Sequence, residues 1–161
     1  MSSTTSPPQP QIIKATPVHI SRIQTMVTAA FTKYIERIGK PPAPMLAKYT
    51  EIIQTHEVYV LQDNSTIEGS IILKANNESN TLEVGSLVVD PAAQGRGYGR
   101  LLMEFAEERA RAQRRRALTL YTNIKMWENL GLYRKLGFVE VGRRVQDGYE
   151  RVFFEKDISK N

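Results

Sequence analysis

Cysteine is absent from all 161 residues. That absence excludes a disulfide scaffold, a thiolate metal site, a redox CxxC pair and a cysteine nucleophile. Histidine is scarce as well. His19 and His56 lie far apart and form no closely spaced ligand pair, so no metal site is expected. No apolar run approaches the roughly 18 residues of a membrane span. The first residues lack a basic segment followed by an apolar one, as a secretory leader requires, and no arginine precedes Arg22, against a transit peptide. A cytoplasmic protein without a membrane partner is therefore expected. Neither sign of charge dominates: 22 Lys and Arg stand against 17 Asp and Glu, a net +5. An excess of that size suits an anionic ligand and is too small to require nucleic acid. With 41% hydrophobic residues, the chain can bury a core without metal or disulfide support.

Residues 1–10 are Ser, Thr, Pro and Gln around one Met, without charge, and read as a disordered tail. Residues 11–161 read as a single domain. Gln11–Ala15 is a short strand. Thr16 and Pro17 signal a helix start, and Ile20, Ile23, Val27, Ala30 and Phe31 follow helical spacing until Gly39 and the Pro41–Pro44 cluster. Met45–Thr55 reads as a second helix. Glu57–Gln62, Thr66–Ala75 and Thr81–Val89 are strands separated by polar turns, an antiparallel meander. After Asp90-Pro91 comes a glycine-rich turn, then a helix packed through Leu101, Leu102, Phe105, Ala106, Arg109 and Ala110, then a strand at Ala117–Tyr121. This is a βαβ unit, so Thr81–Val89 and Ala117–Tyr121 are expected to be parallel neighbours. A further helix, about Lys125–Leu136, ends at Gly137, and Asp147-Gly148 joins two last strands, Phe138–Val145 and Tyr149–Ile158. The fold class is α+β on a mixed sheet.

The glycine turn is Gln94-Gly95-Arg96-Gly97-Tyr98-Gly99, followed by Arg100. Alternating glycines ahead of a helix uncover several backbone N–H groups beside the positive end of the helix dipole, which suits a phosphate or pyrophosphate. Gln94, Arg96 and Arg100 can add side-chain contacts. The spacing differs from the dinucleotide fingerprint G-x-G-x-x-G, and no P-loop is present.

The same hexapeptide matches the Q/R-x-x-G-x-G/A signature of the GNAT superfamily of N-acetyltransferases. Leu87-Val88-Val89-Asp90-Pro91 looks like the strand before that signature. Asn129 with Leu132-Tyr133-Arg134-Lys135-Leu136-Gly137-Phe138 looks like its later N-x-x-L-Y-x-K-L-G-F segment. The chain thus resembles the superfamily over about residues 11–158. Arg37–Met45 and Asp147–Phe153 look like a branch of small proteins within it. The resemblance implies a central, mostly antiparallel sheet of six to seven strands with a splayed parallel pair, flanked by about four helices. It also implies acetyl-CoA as co-substrate and a primary amine, of a small molecule or a peptide, as acceptor. No nucleic-acid partner is expected from the charge, and monomer and homodimer both stay open. Carried over, the loop of Gln94, Gly95, Arg96, Gly97, Tyr98, Gly99 and Arg100 holds the pyrophosphate, chiefly through backbone N–H groups from Arg96 to Arg100. Leu87, Val88 and Val89 pair with the pantetheine arm as an added strand would, and the Val89 amide polarises the thioester carbonyl. Asn129 contacts the cofactor.

Without cysteine no acetyl-cysteine forms, and no Ser–His–Asp arrangement is visible. Direct attack by the amine in a ternary complex is the expected route. Tyr133, four residues after Asn129 on the same helix face, is the expected acid at the leaving thiolate, as the resemblance also implies. The resemblance also implies a candidate general base in Glu83, eleven residues before Gln94, since histone-type members of the superfamily carry a glutamate at that spacing that acts through water; bulk water is the alternative. Relatives in this branch carry an acidic residue two positions later, where this chain has Gly85. In a regular strand Glu83, Gly85 and Leu87 share a face, and a bulge would change that. A second class of function is a non-catalytic CoA-binding sensor or interaction module. The arginines Arg109, Arg111, Arg114, Arg115 and Arg116 read as a solvated helix end matched by Glu104, Glu107 and Glu108. Met126, Trp127 and Leu130 read as core, and His56 as surface.

Overall fold

A computed structural model describes residues 9–159. Residues 1–8 of the expected tail lie outside the described residues, as do Lys160 and Asn161. Among the described residues seven strands form one sheet in the order β1-β2-β3-β4-β5-β7-β6. They are β1 (Gln11–Lys14), β2 (Glu57–Asp63), β3 (Thr66–Asn76), β4 (Thr81–Val89), β5 (Ala117–Asn123), β6 (Val139–Gln146) and β7 (Tyr149–Asp157). All neighbours are antiparallel except β4 and β5, the parallel pair expected from the βαβ unit. Asp147 and Gly148 both take positive φ, 54° and 81°, the geometry of a two-residue hairpin turn.

Among the described residues five α-helices cover the two faces. On one face lie α1 (Ile20–Phe31), α2 (Lys33–Ile38) and α3 (Tyr49–Thr55). Ile23, Met26 and Val27 of α1 pack with Val58, Val60, Ile72 and Val88 from the sheet. On the other lie α4 (Tyr98–Ala112) and α5 (Trp127–Lys135). Leu102, Met103, Ala106 and Ala110 of α4 pack with Leu61, Leu73, Leu82 and Leu118, and Leu130 and Tyr133 of α5 join the same core. Burial of these side chains is the main stabilising term, worth ~1.5–3 kcal/mol for each large one.

Several local expectations change. The first helix is interrupted at Thr32, whose hydroxyl bonds back to the Thr28 carbonyl. Such back-bonding competes with the helical ladder and bends it. The expected second helix shortens at its start. Pro42 and Pro44 lack N–H donors, so Ala43–Leu46 forms a single 3₁₀ turn, Ala47 is extended, and α3 starts at Tyr49. Trp127 is not core: it is 56% exposed, with the Arg37 guanidinium 3.8 Å over its ring. The arginine cluster is solvated only in part. Arg109 pairs with Glu57 of β2 at 2.9 Å, Arg115 bonds Asn77 at 2.8 Å, and Arg116 bonds the Ser79 carbonyl at 2.9 Å and pairs with Glu155. These arginines tie the end of α4 to the sheet.

The decisive irregularity is in β4. Its register with β3 shifts where Ile72 pairs with Ser86 while Leu73 pairs with Val84, so Gly85 is left as an extra residue. The bulge reverses the alternation. Leu82 and Val84 face α4 before it, and Leu87 and Val89 face α4 after it. Glu83 therefore lies on the α1 face, opposite Leu87, rather than sharing its face. Parallel pairing with β5 also stops here, covering only Thr81–Val84 against Ala117–Leu120. Beyond that point β4 and β5 diverge, and the sheet has a gap bordered by Gly85–Val89 on one side and Tyr121–Asn123 on the other.

Candidate active site

The gap opens into a cavity of about 910 Å³ that passes through the sheet. Its lining joins residues from both faces. From the α4 and α5 side come Gln94, Gly95, Gly97, Tyr98, Gly99, Arg100, Asn129 and Tyr133, and β4 contributes Leu87, Val88 and Val89. From the α1 side come Glu83, Tyr34, His56, Lys74, Tyr121 and Arg151. Of the site residues expected from sequence, all but Arg96 border this one space.

Gly97 is the N-cap of α4 with φ +83°, and Gly95 has φ +88°. Only glycine adopts that region without strain, so the turn depends on both. The first intrahelical bond runs from the Leu101 N–H to the Gly97 carbonyl at 3.1 Å. The N–H groups of the first turn, at Tyr98, Gly99 and Arg100, thus have no acceptor within the helix. Gly99 has a different role. A Cβ there would touch Val89 at 3.8 Å and Leu87 at 4.0 Å, narrowing the space between the loop and β4. The Tyr98 side chain is buried, and its hydroxyl donates to the Asp63 carboxylate. Arg96 stands beside that hydroxyl, where Tyr98, Glu68 and Asp63 hold its guanidinium charged. Its side chain braces the loop from outside. Arg100 is exposed and pairs with Glu104 at 3.5 Å.

Asn129 and Tyr133 follow each other along α5. The Asn129 amide donates to Thr122 Oγ1 at 3.5 Å, which ties the helix to β5. The Tyr133 ring packs against Phe138 and Phe154, with centroids 6.0 and 5.9 Å away. Desolvation, with a smaller contribution from Tyr34, pushes the Tyr133 phenol up to about 12. No protein acceptor among the described residues takes its hydroxyl proton, and the hydroxyl borders the cavity.

Across the gap, Glu83 stands opposite Lys74 in the β3–β4 ladder. It forms no hydrogen bond or ion pair among the described residues. Burial raises its carboxyl above the ordinary range, and Lys74 and Arg151 oppose that shift only partly. His56 belongs to the site and not to the open surface. Its Nδ1 lies 2.7 Å from Thr55 Oγ1, and burial together with Lys74 lowers its pKa, which favours neutral imidazole.

The roof is the segment between α2 and α3. Tyr149 donates to the Pro41 carbonyl at 2.6 Å, Tyr49 to that of Pro44 at 2.9 Å, and Lys40 to that of Gly148 at 2.8 Å. Arg37 pairs with Glu128 at 2.8 Å. Two segments far apart in sequence, Arg37–Met45 and Asp147–Phe153, are thereby locked together over the cavity. Tyr34, Lys74, Tyr121 and Arg151 were not visible as site residues. They carry no motif of their own: strand order brings Lys74, Tyr121 and Arg151 to the gap, and Tyr34 comes to the cavity from α2.

A mixed sheet split between parallel strands, with a glycine turn at the mouth and a tyrosine on the next helix, forms one candidate site open to both faces of the sheet. The chain belongs to the acetyltransferase (GNAT) domain family, whose model matches residues 54–140, over half of its length. It is 37% identical over 90 residues to a mycothiol acetyltransferase of Jonesia denitrificans, covering 56% of this chain and 29% of that protein. It is 35% identical over 83 residues to an IAA acetyltransferase of Azospirillum brasilense, covering 52% of this chain and 54% of that one. The chain thus spans about a third and about half the length of these curated relatives. A GCN5-related N-acetyltransferase structure from Rhodopseudomonas palustris superposes with a TM-score of 0.77 at 17% identity, covering 96% of this chain and 99% of that one. That likeness shows the fold.

Among the described residues no helix is long and apolar enough to cross a membrane.

Proposed function

We propose that this protein is an N-acetyltransferase that moves an acetyl group from acetyl-CoA directly to a primary amine held in the same ternary complex. One observation carries the reading: the β4 bulge and the β4–β5 gap put a carboxylate and a phenol on opposite sides of a single through-sheet opening. The site fits the co-substrate. The first-turn N–H groups of α4 can bind its pyrophosphate, and the unpaired edge of β4 at Leu87, Val88 and Val89 can bind its amide-bearing arm. The thioester would then lie in the gap, with the acceptor entering from the α1 face.

The chemistry balances without a protein-bound intermediate. The amine nitrogen attacks the thioester carbonyl carbon, a C–N bond forms, and the C–S bond breaks with its electron pair left on sulfur. Nitrogen loses one proton and sulfur gains one. Glu83 takes the first, through a water within the cavity, and its raised pKa makes it a better base than an exposed carboxylate. Tyr133 acts at sulfur. A phenol near 12 keeps its proton throughout the neutral range. Full transfer to the departing thiolate is uphill for such a phenol, so Tyr133 gives a hydrogen bond that strengthens as charge builds on sulfur, and the thiolate takes its proton from solvent water, to which Glu83 returns the one it removed.

The test is free thiol release from acetyl-CoA in the presence of amines of several classes. Release that depends on both the amine and the protein is expected. Tyr133→Phe should lower kcat by about 10²-fold while acetyl-CoA affinity changes little. An absence of release with every amine class would overturn the reading, and unchanged turnover in Tyr133→Phe would remove that residue from it.

A further inference from the structure

Arg151 is used by nothing in the chemistry above, although it is one of the few charged residues buried in the structure, at 6% exposure. It lies on β7 opposite Asn123 of β5, at the border of the gap. Its guanidinium is held in a fixed pose. Its Cζ lies 4.3 Å from the Tyr121 ring centroid and 5.5 Å from that of Tyr149, and Nη1 donates to Gln146 at 2.9 Å and to Asp147 at 3.4 Å. Nε and Nη2 have no hydrogen bond to any described residue. Among the described residues no buried side-chain nitrogen or oxygen lacks a partner, so both remain reachable, and the space the side chain borders is the cavity. A buried arginine clamped through one nitrogen, with two adjacent donors left free, has the fork geometry that binds a carboxylate in two places.

The charges around it agree. The acceptor half of the cavity carries Lys33, Lys74 and Arg151 against Glu83 and Asp147. A polyamine would bring further positive charge into a chamber that is already net positive. A molecule with one amine and one carboxylate would instead match Glu83 with the first and Arg151 with the second. The roof ties Tyr149–Pro41 and Lys40–Gly148 close the chamber on the same side, which favours a small molecule over a segment of folded protein.

We infer that Arg151 is a carboxylate-binding residue of the acceptor subsite, and that the acceptor is a small amino carboxylate such as a free amino acid or a close analogue. This rests on the proposed acetyl transfer for its biological meaning, and its test has a binding readout that does not.

The intact protein is mixed with acetyl-CoA and a series of amino acids, each beside its carboxamide and its decarboxylated amine, and thiol release is followed. In parallel, thermal shifts are measured for the same compounds with CoA in place of acetyl-CoA. The amino acid is expected to exceed its carboxamide by about 10- to 100-fold in kcat/KM, the range of a charged hydrogen-bonded contact. That ratio should fall toward one in Arg151→Gln and recover in part in Arg151→Lys. Carboxamides or plain amines that react as well as the acids would overturn the subsite and leave acetyl transfer standing. Acids that stabilise the protein more than their carboxamides, without thiol release from any compound, would keep the subsite and overturn acetyl transfer. Neither release nor acid-selective stabilisation would overturn both. The comparison of acid with carboxamide on the unaltered protein holds even if the Arg151 variants do not fold.

Discussion

Glu83 is held half-buried on the α1 face of β4, beside Lys74 and facing Arg151, without a hydrogen-bond partner among the described residues. Its raised pKa has a signed consequence. The folded chain binds the Glu83 proton more tightly than the unfolded chain does, so this group lowers stability as pH rises from the ordinary carboxylate range through its folded pKa. Above that window its charge is a constant penalty. Glu83→Gln is therefore expected to raise the melting temperature at neutral pH, and the gain should shrink to nothing at acid pH, where the native carboxyl is already protonated. The same variant should lose about 10²-fold or more in turnover if Glu83 is the base. Melting curves over a pH series and thiol release check both. A stability gain that ignores pH would show that Glu83 is not desolvated, and full activity would assign proton removal to bulk water.

At the scale of elements, two irregular segments do more for the site than the regular ones. The β4 bulge at Gly85 turns Glu83 and Leu87 to opposite faces and coincides with the end of pairing to β5. The glycine turn brings the chain from β4 into α4 through two left-handed residues. Gly97→Ala has room for its methyl group, since nothing lies within 4 Å of a Cβ there, but its φ of +83° is strained for alanine. The expected loss is ~1–2 kcal/mol, or about 2–8 °C in a chain of this size. Differential scanning calorimetry of the ligand-free protein checks it. No change in melting temperature would mean that the turn relaxes, and acetyl-CoA binding would then report whether the cradle survives. The arginines at the end of α4 serve the fold and not the cavity. They reach Glu57 of β2, Glu155 of β7, and Asn77 and Ser79 in the β3–β4 turn, joining two strands and a turn to one helix end, although each exposed pair adds little stability alone.

For the whole molecule, the proposal places the co-substrate in the gap of a sheet whose two halves meet along only four β4–β5 register pairs. A ligand that bridges β4, α4 and α5 joins both halves, so binding should raise global stability and not merely order a loop. At a concentration of 100 times Kd the gain is about 2.7 kcal/mol, or about 5–11 °C here. A thermal-shift titration with CoA and acetyl-CoA measures it. A flat melting temperature at millimolar concentration would contradict the proposed cradle.

Much of this fold was legible in the chain itself. Alternating apolar residues, polar turns, Asp147-Gly148 and the glycine turn before Leu101 and Leu102 are local signals, and each reflects what the backbone can do within a few residues. They determined the strand order in sequence, the parallel β4–β5 neighbours, the glycine turn into α4 and the placement of Asn129 and Tyr133 on one helix. The lack of cysteine likewise determined that any acetyl group handled here cannot rest on a protein thiol. What only the tertiary structure decided depends on contacts between distant segments. The Gly85 bulge becomes visible through its register against β3, and Arg151 reaches the gap because β7 inserts between β5 and β6. Trp127 is left outside the core because Arg37, from another helix, stacks on it. Local pattern reports the period of an element, whereas the face a residue presents, and the charge it meets there, depend on which strand lies beside it.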